Sequence, residues 1–383
     1  MNENSLVQNF KTLCNLPKGW EVLDFDKVII DVSGGNKKTK NSDLLNEGSI
    51  KVVDQGKELI AGFTNEKEAI VKTEVPHIVF GDHTRALKYI DFPFAMGADG
   101  TKVLKIKKGV KSFEKYIYYF FQTLNIPETG YNRHFKYLKG VKIPLPNLET
   151  QKRIAAILDE ADTLRQLNQQ LIAKYDALTQ ILFLDMFGDP VTNPMGWEKV
   201  AMSKICDFKK KTIKPENIST NTKYIPLDAI EKETGKIIGY EIVESGDIKS
   251  NKFYFTKEHI LYGKLRPYLN KVSLPNFEGI CSTDIIPLKP IPNKTNRFFI
   301  AQIMRGNGFV SFASERSSGA NLPRISPDEI QKYKIINPPI HLQTQFAERV
   351  QLIEQQKQQA QGALQKSELL FNSLLQKAFN GTL

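Results

Sequence analysis

Basic, amide and aromatic side chains recur together in turn-rich stretches, and they are the first groups in the sequence that could do chemistry. Gly81-Asp82-His83-Thr84-Arg85 and Gly130-Tyr131-Asn132-Arg133-His134-Phe135 lie in the first half of the chain. Tyr262-Gly263-Lys264-Leu265-Arg266-Pro267-Tyr268 and Gly319-Ala320-Asn321-Leu322-Pro323-Arg324 lie in the second. Arg, Lys, Asn and His on loops are the residue types that hydrogen-bond base edges and hold phosphates. The candidate contact residues are His83, Thr84, Arg85, Lys102, Tyr131, Asn132 and Arg133, then Tyr262, Lys264, Arg266, Tyr268, Asn321 and Arg324. One such segment alone reads as an ordinary surface loop. Four of them favour a nucleic-acid reading.

The charge distribution points the same way. The 383 residues carry a formal net charge of +11. Residues 16–147 hold +5 and residues 193–340 hold +8, whereas 148–192 hold −3 and 341–383 hold +1. Two basic blocks thus alternate with near-neutral or acidic stretches, as expected if the blocks meet a polyanion. A solvated basic surface would give the same balance.

Catalytic signatures are missing. Asp159-Glu160-Ala161-Asp162 spells a helicase box, but it falls inside a helical repeat and no phosphate-binding G-x-x-x-x-G-K-[ST] loop accompanies it. Asn337-Pro338-Pro339-Ile340 is close to the Asn-Pro-Pro-aromatic motif of amino-methyltransferases, yet Ile340 replaces the aromatic and no glycine-rich loop precedes it. Pro327-Asp328 with Glu329 and Lys332 is too compressed for a nuclease centre. The five histidines form no H-x-H or H-x-x-x-H pair, and Cys14, Cys206 and Cys281 have neither zinc nor disulfide spacing. No catalytic or metal-ligating residue is assigned. The scattered cysteines fit a reducing compartment, and no apolar run has the roughly 18 residues of a membrane span. The expected location is cytoplasmic.

The elements that must position these loops occur twice. Pro17-Lys18-Gly19-Trp20-Glu21 matches Pro194-Met195-Gly196-Trp197-Glu198, and these hold the chain's two tryptophans. Lys142-Ile143-Pro144-Leu145-Pro146, leading to Gln151 and Ile154-Ala155, matches Lys334-Ile335-Ile336-Asn337-Pro338, leading to Gln343 and Phe346-Ala347. The offset is 177 at the front and 192 at the back, so the second block is 15 residues longer.

Each block leads into a long helix. Residues 150–187 contain no Gly or Pro and show heptads, with Ile154, Ala161, Tyr175 and Leu182 at one core position and Ile157, Leu164, Leu171 and Leu178 at the other. Asn168 interrupts the first series, either to fix register or as a satisfied polar residue. A second helix spans about 342–379, with Phe346, Val350, Ile353, Leu364, Phe371, Leu374 and Leu375 on one side and a polar middle at 354–359. Each would be about 55 Å long. An apolar stripe must be covered, and an antiparallel pair within the chain is favoured over a dimer between chains. The blocks themselves read as α+β. Strand-like runs lie at 78–80, 103–107, 141–143, 223–227, 259–262 and 284–288, and short aromatic-rich helices at 113–123 and 297–304.

From about residue 16 to the end, this arrangement resembles the DNA-specificity subunit of type I restriction-modification systems. The resemblance rests on the spaced repeat and on Leu261 to Tyr268, Cys281-Ser282-Thr283-Asp284-Ile285 and Ala320 to Ser326. In the first block it rests on Val53-Asp54-Gln55-Gly56-Lys57, Phe80 to Arg85 and Gly97 to Thr101. It implies two target-recognition domains, at 1–147 and 189–340, joined by two long antiparallel coiled-coil spacer helices, at 148–188 and 341–383, as a pseudo-twofold repeat. Each domain would read one half of a bipartite site in double-stranded DNA, and the helices would set the gap. Two modification (methyltransferase) subunits, and in some systems restriction subunits, would be the partners, in defence against foreign DNA. S-adenosylmethionine, ATP and Mg²⁺ would belong to those partners, leaving this chain non-catalytic. The residues leave two alternatives open: an autonomous DNA methyltransferase or nuclease with an unrecognised site, and a coiled-coil adaptor for acidic proteins.

Overall fold

Each half of the chain opens on the repeated Pro-x-Gly-Trp-Glu turn, where Gly19 (φ +90°) and Gly196 (φ +69°) adopt a left-handed conformation that side chains resist. A computed structural model describes residues 16–128, 130 and 132–383, and within it the chain divides into two units, 1–169 with 362–383, and 170–361.

In the first unit, β1 (Glu21–Asp24) leaves the turn and pairs antiparallel with β10 (Lys142–Leu145), Glu21 opposite Leu145. Between them run α1 (Phe25–Val28), β2 (Ile29–Asp31), β3 (Lys38–Thr39), β4 (Ile50–Val53), β5 (Gly62–Thr64), β6 (His77–Gly81), β7 (Leu87–Ile90), β8 (Phe94–Gly97) and β9 (Thr101–Ile106). They form an antiparallel sheet in the order β2-β9-β6-β7 and a mixed sheet in the order β3-β8-β4-β5. Val53, Val79, Phe94, Met96 and Val103 form one of the unit's buried clusters. Helix α2 (Glu114–Gln122) buries Tyr116, Ile117, Tyr119, Phe120 and Phe121, and α3 (Phe135–Lys139) buries Phe135, Tyr137 and Leu138. These side chains share a core with Ile154, Leu158, Phe371 and Phe379 of two long helices, α4 (Leu148–Phe187) and α9 (Ile340–Phe379).

The second unit repeats this plan. Strand β11 (Lys199–Ala201) pairs with β21 (Lys334–Ile336), Lys199 opposite Ile336. After α5 (Met202–Ile205) come β12 (Cys206–Asp207), β13 (Thr212–Ile213), β14 (Thr222–Ile225), β15 (Glu241–Val243), β16 (Lys252–Phe255), β17 (Ile260–Gly263), β18 (Val272–Ser273), β19 (Gly279–Cys281) and β20 (Ile285–Pro290). The sheet β12-β20-β17-β18 is antiparallel, and a mixed sheet runs β13-β16-β19-β14-β15. Its extra strand β16, which follows β15 in sequence and lies between β13 and β19 in the sheet, has no counterpart in the first unit and so absorbs part of the added length. Helices α6 (Arg297–Arg305), α7 (Asn307–Glu315) and α8 (Pro327–Lys332) close the unit.

The long helices pack antiparallel within each unit. In the first, the Arg165 guanidinium lies 4.4 Å from the Phe371 ring centre, and Asn168 donates to the buried Ser367 hydroxyl at 3.3 Å. The Asn168 amide is thus paired with a polar group across the helix seam. In the second, Lys357 pairs with Asp176, and Phe183 meets Phe346 edge-on.

One expectation fails by a single position. The buried seam of α4 follows Ile154, Leu158 and Ala161, whereas Leu164, Leu171 and Leu178 are exposed. The second core series therefore begins at Leu158 and continues through Arg165, Ile172 and Thr179. Its polar members disguise it in sequence, while the cleaner leucine series points outward.

Candidate nucleic-acid interface

In the first unit three loops are tied together at the end of β6. Buried Asp82 donates its backbone N–H to the Gly100 carbonyl (2.7 Å) and accepts the His134 N–H on its own carbonyl (2.8 Å). Its Oδ1 accepts the Phe135 N–H at 2.8 Å. Gln55 adds a fourth strand of the knot, its Oε1 accepting the His83 N–H (3.2 Å) and its carbonyl accepting the Thr84 hydroxyl. A Cβ on Gly81 would stand 2.6 Å from the Gln55 carbonyl oxygen, so only glycine allows that approach.

This knot presents the candidate side chains differently. His83 Nδ1 lies 3.2 Å from the Asn132 carbonyl, and Thr84, Asn132 and Arg133 are exposed. Arg85, at φ +63°, donates to the Ile126 carbonyl (3.1 Å) and pairs with Glu128 (3.1 Å). Lys102 pairs with Asp31 at 3.3 Å, and its ammonium and that of Lys139 each lie 5.2 Å from the Phe135 ring centre. Burial opposes ionisation of Asp31, but hydrogen bonds from Ser33 and the Lys102 charge outweigh it and hold the carboxyl below its ordinary range. Tyr131 lies outside the described residues.

The second unit ties the corresponding loops by the same backbone bonds. Lys264 takes the place of Asp82: its N–H donates to the Asp284 carbonyl (2.9 Å), and its carbonyl accepts the Ile325 N–H (3.2 Å). Arg266, at φ +51°, donates its N–H to the Pro323 carbonyl at 2.7 Å. The Asp284 carboxylate accepts Arg324 Nε (3.0 Å) and Nη2 (3.4 Å), and Lys264 Nζ stands 3.8 Å away. This bond to Asp284 raises the Arg324 pKa further. Arg266, Tyr268 and Asn321 are exposed, and the Arg266 guanidinium has no hydrogen bond or ion pair among the described residues.

Tyr262, expected at the surface, is buried instead. It is 2% exposed, packs edge-on against Phe309 and belongs to the core. It is an inward-facing residue of β17. Sequence reading also passed over Lys210, whose pKa burial lowers and the nearby Lys264 charge lowers further. The Lys209-Lys210-Lys211 run was the available signal.

The two aspartates of the helicase-like box are spent on structure, and Glu160 is exposed. Asp159 accepts the Tyr119 hydroxyl (2.5 Å) and pairs with Lys115 (2.7 Å), and Asp162 holds Arg165 and Gln166. Among the described residues no group of three His, Cys, Asp or Glu is placed to hold a metal, and no helix is long and apolar enough to cross a membrane.

The fold and its loops define a class: a twice-repeated α+β module, carried on two long helices, that gathers cations onto three tied loops. The model of the type I restriction modification DNA specificity domain matches residues 17–175 and 194–365, and the chain belongs to that family. It is 30% identical over 194 residues to the EcoDI type I restriction enzyme specificity subunit of Escherichia coli, an alignment covering 50% of this chain and 43% of that protein. Over 142 residues it is 32% identical to the EcoR124I/EcoR124II specificity subunit of the same organism, covering 36% and 33%. The chain spans less than half the length of these curated relatives. The crystal structure of the type I restriction-modification S subunit from M. genitalium shares the fold, with a TM-score of 0.57 at 17% identity over 94% of this chain and 96% of that one.

Proposed function

We propose that the chain is the sequence-specific DNA-binding subunit of a type I restriction-modification complex. The loops of each unit read one half of a bipartite site in double-stranded DNA, and the helix pair sets the gap between the halves. The observation carrying this reading is the repeated knot: the same backbone bonds, at Asp82 and at Lys264, hold basic loops in both units. Exposed Arg133 and Arg266 supply phosphate contacts, which dominate affinity, while residues held within the loops supply base contacts, which set sequence.

The outward apolar series of α4 gives a docking surface for methyltransferase subunits. Leu164 and Leu167 in the first unit, and Leu171, Leu178 and Ile181 in the second, are exposed at alternating spacings suited to a partner helix or groove. The chain itself is non-catalytic in this reading and works in the cytoplasm. S-adenosylmethionine, ATP and Mg²⁺ act on the modification and restriction subunits.

The test is to co-express the chain with its cognate methyltransferase in a host free of other methylation, and to map methylated adenines by single-molecule sequencing. A two-part motif with a fixed unspecified gap is expected. A continuous motif, or methylation by the purified chain alone, would overturn the proposal.

A further inference from the structure

Resting on that DNA-reading role, we propose that Arg324 reads a guanine in the half-site of the second unit and that Asp284 is the residue that positions it. A guanidinium has two edges with paired N–H donors. Asp284 occupies the Nε/Nη2 edge, at 3.0 and 3.4 Å. The Nη1/Nη2 edge is the second such pair, and Nη1 also donates to the Leu322 carbonyl at 3.3 Å. Such a pair matches O6 and N7 of guanine in the major groove.

The side chain is held from both ends while remaining reachable. Its backbone is fixed by a reciprocal pair, Arg324 N–H to the Ser318 carbonyl (2.9 Å) and Ser318 N–H to the Arg324 carbonyl (3.0 Å). Its head is fixed by the carboxylate, yet 40% of the side chain is exposed. Freezing the rotamer before DNA arrives removes an ordering cost from binding and restricts the fork to one direction. The other cations of this loop cluster lack that combination. Arg266 has no partner among the described residues and can follow a phosphate, and Lys264 is a point charge 3.8 Å from the same carboxylate. Two cations share one carboxylate, so the site stays net positive and attracts DNA despite the internal ion pair.

The experiment uses the full chain in complex with its methyltransferase. Once the wild-type motif is mapped, Arg324→Lys and Asp284→Asn are mapped in the same host. Both are expected to keep the gap and the other half-site, and to lose at least tenfold discrimination at one G·C pair. A synthetic duplex carrying 7-deazaguanine there, which lacks the N7 acceptor, should bind the wild-type complex about tenfold more weakly and the Arg324→Lys complex no more weakly than normal DNA. An unchanged motif in both variants would overturn the assignment and leave the proposed function standing. So would equal loss at every position of the half-site in variants that melt like wild type. Should either variant fail to fold, the modified duplexes still decide with wild-type protein: unchanged binding at every guanine of that half-site overturns the assignment. A wild-type complex with no bipartite motif would overturn both readings.

Discussion

Gln151 and Gln343 occupy the same place in the two units, each fully buried in the first turns of a long helix. Each donates Nε2 to the carbonyl of the proline five residues earlier, at 2.8 Å in both cases. Each also accepts on Oε1 the backbone N–H of a residue at the start of a short aromatic-rich helix, Phe113 or Asn296, both at 3.0 Å. One side chain thus ties the long helix to the block it leaves. Replacing Gln151 or Gln343 by Ala strands these buried groups, and a loss of about 2–3 kcal/mol is expected. Urea unfolding followed by circular dichroism measures it, and a loss below about 0.5 kcal/mol would contradict the role.

The outward leucines of α4 predict a separable defect. Leu171→Glu and Leu178→Glu alter exposed positions, so each should shift folding stability by no more than about 0.5 kcal/mol. A charge in an apolar interface is costly, and co-purification with the methyltransferase should fall at least tenfold. Full retention of the partner by the double variant would remove α4 from the docking surface.

How much of this was legible in the sequence depended on how local the signal was. The Pro-x-Gly-Trp-Glu turns, the matched positions of Gln151 and Gln343 and the long helices are written in short-range spacing, so the repeat and the antiparallel helices could be read directly. Strand positions such as Ile78 to Phe80 followed from apolar runs. The seam of α4 was misread because Arg165 and Thr179 occupy buried-face positions while Leu164 and Leu171 do not. Tyr262 was misread because it immediately precedes Gly263 and the loop, though it is an inward residue of the strand. The knots at Asp82 and Lys264 were invisible because they join segments some 20 to 60 residues apart, and only tertiary closure brings Gly100 and His134 to one backbone.

The burial of Tyr262 can be checked directly. Its hydroxyl is buried with no hydrogen-bond partner among the described residues, and burial pushes its pKa up. Tyr262→Phe removes an unsatisfied polar group without changing the packing against Phe309, so stability should hold or rise by about 1 kcal/mol. DNA affinity should not change. A tenfold loss of affinity with unchanged melting would return Tyr262 to the interface.

The first unit should weaken in mild acid. His77 has no exposed surface, and burial, with the Lys105 charge adding to it, lowers its pKa to about 4. A histidine in the unfolded chain takes up its proton near pH 6.5. Above that pH both states are neutral and the contribution is fully present. As pH falls from about 6.5 to about 4, the unfolded state gains the proton first and stability drops, on the order of 3 kcal/mol. His77→Gln should flatten this part of the melting temperature against pH, and an unchanged slope would refute the assignment.

Lys210 separates phosphate contact from base reading. It sits close enough to Lys264 for their charges to interact, on a basic run that is not part of the tied loops. If it neutralises one phosphate, Lys210→Ala should weaken binding of all DNA sequences alike. The slope of log K against log salt should become shallower by about one, since each neutralised phosphate contributes roughly 0.9. Arg324→Lys should instead change which sequence is bound with little effect on that slope. Binding isotherms of the intact complex between 50 and 200 mM salt, on the cognate site and on a site altered at one base pair, resolve the two. A Lys210 variant that relaxes sequence preference and keeps the wild-type slope would place this lysine among the base-reading residues.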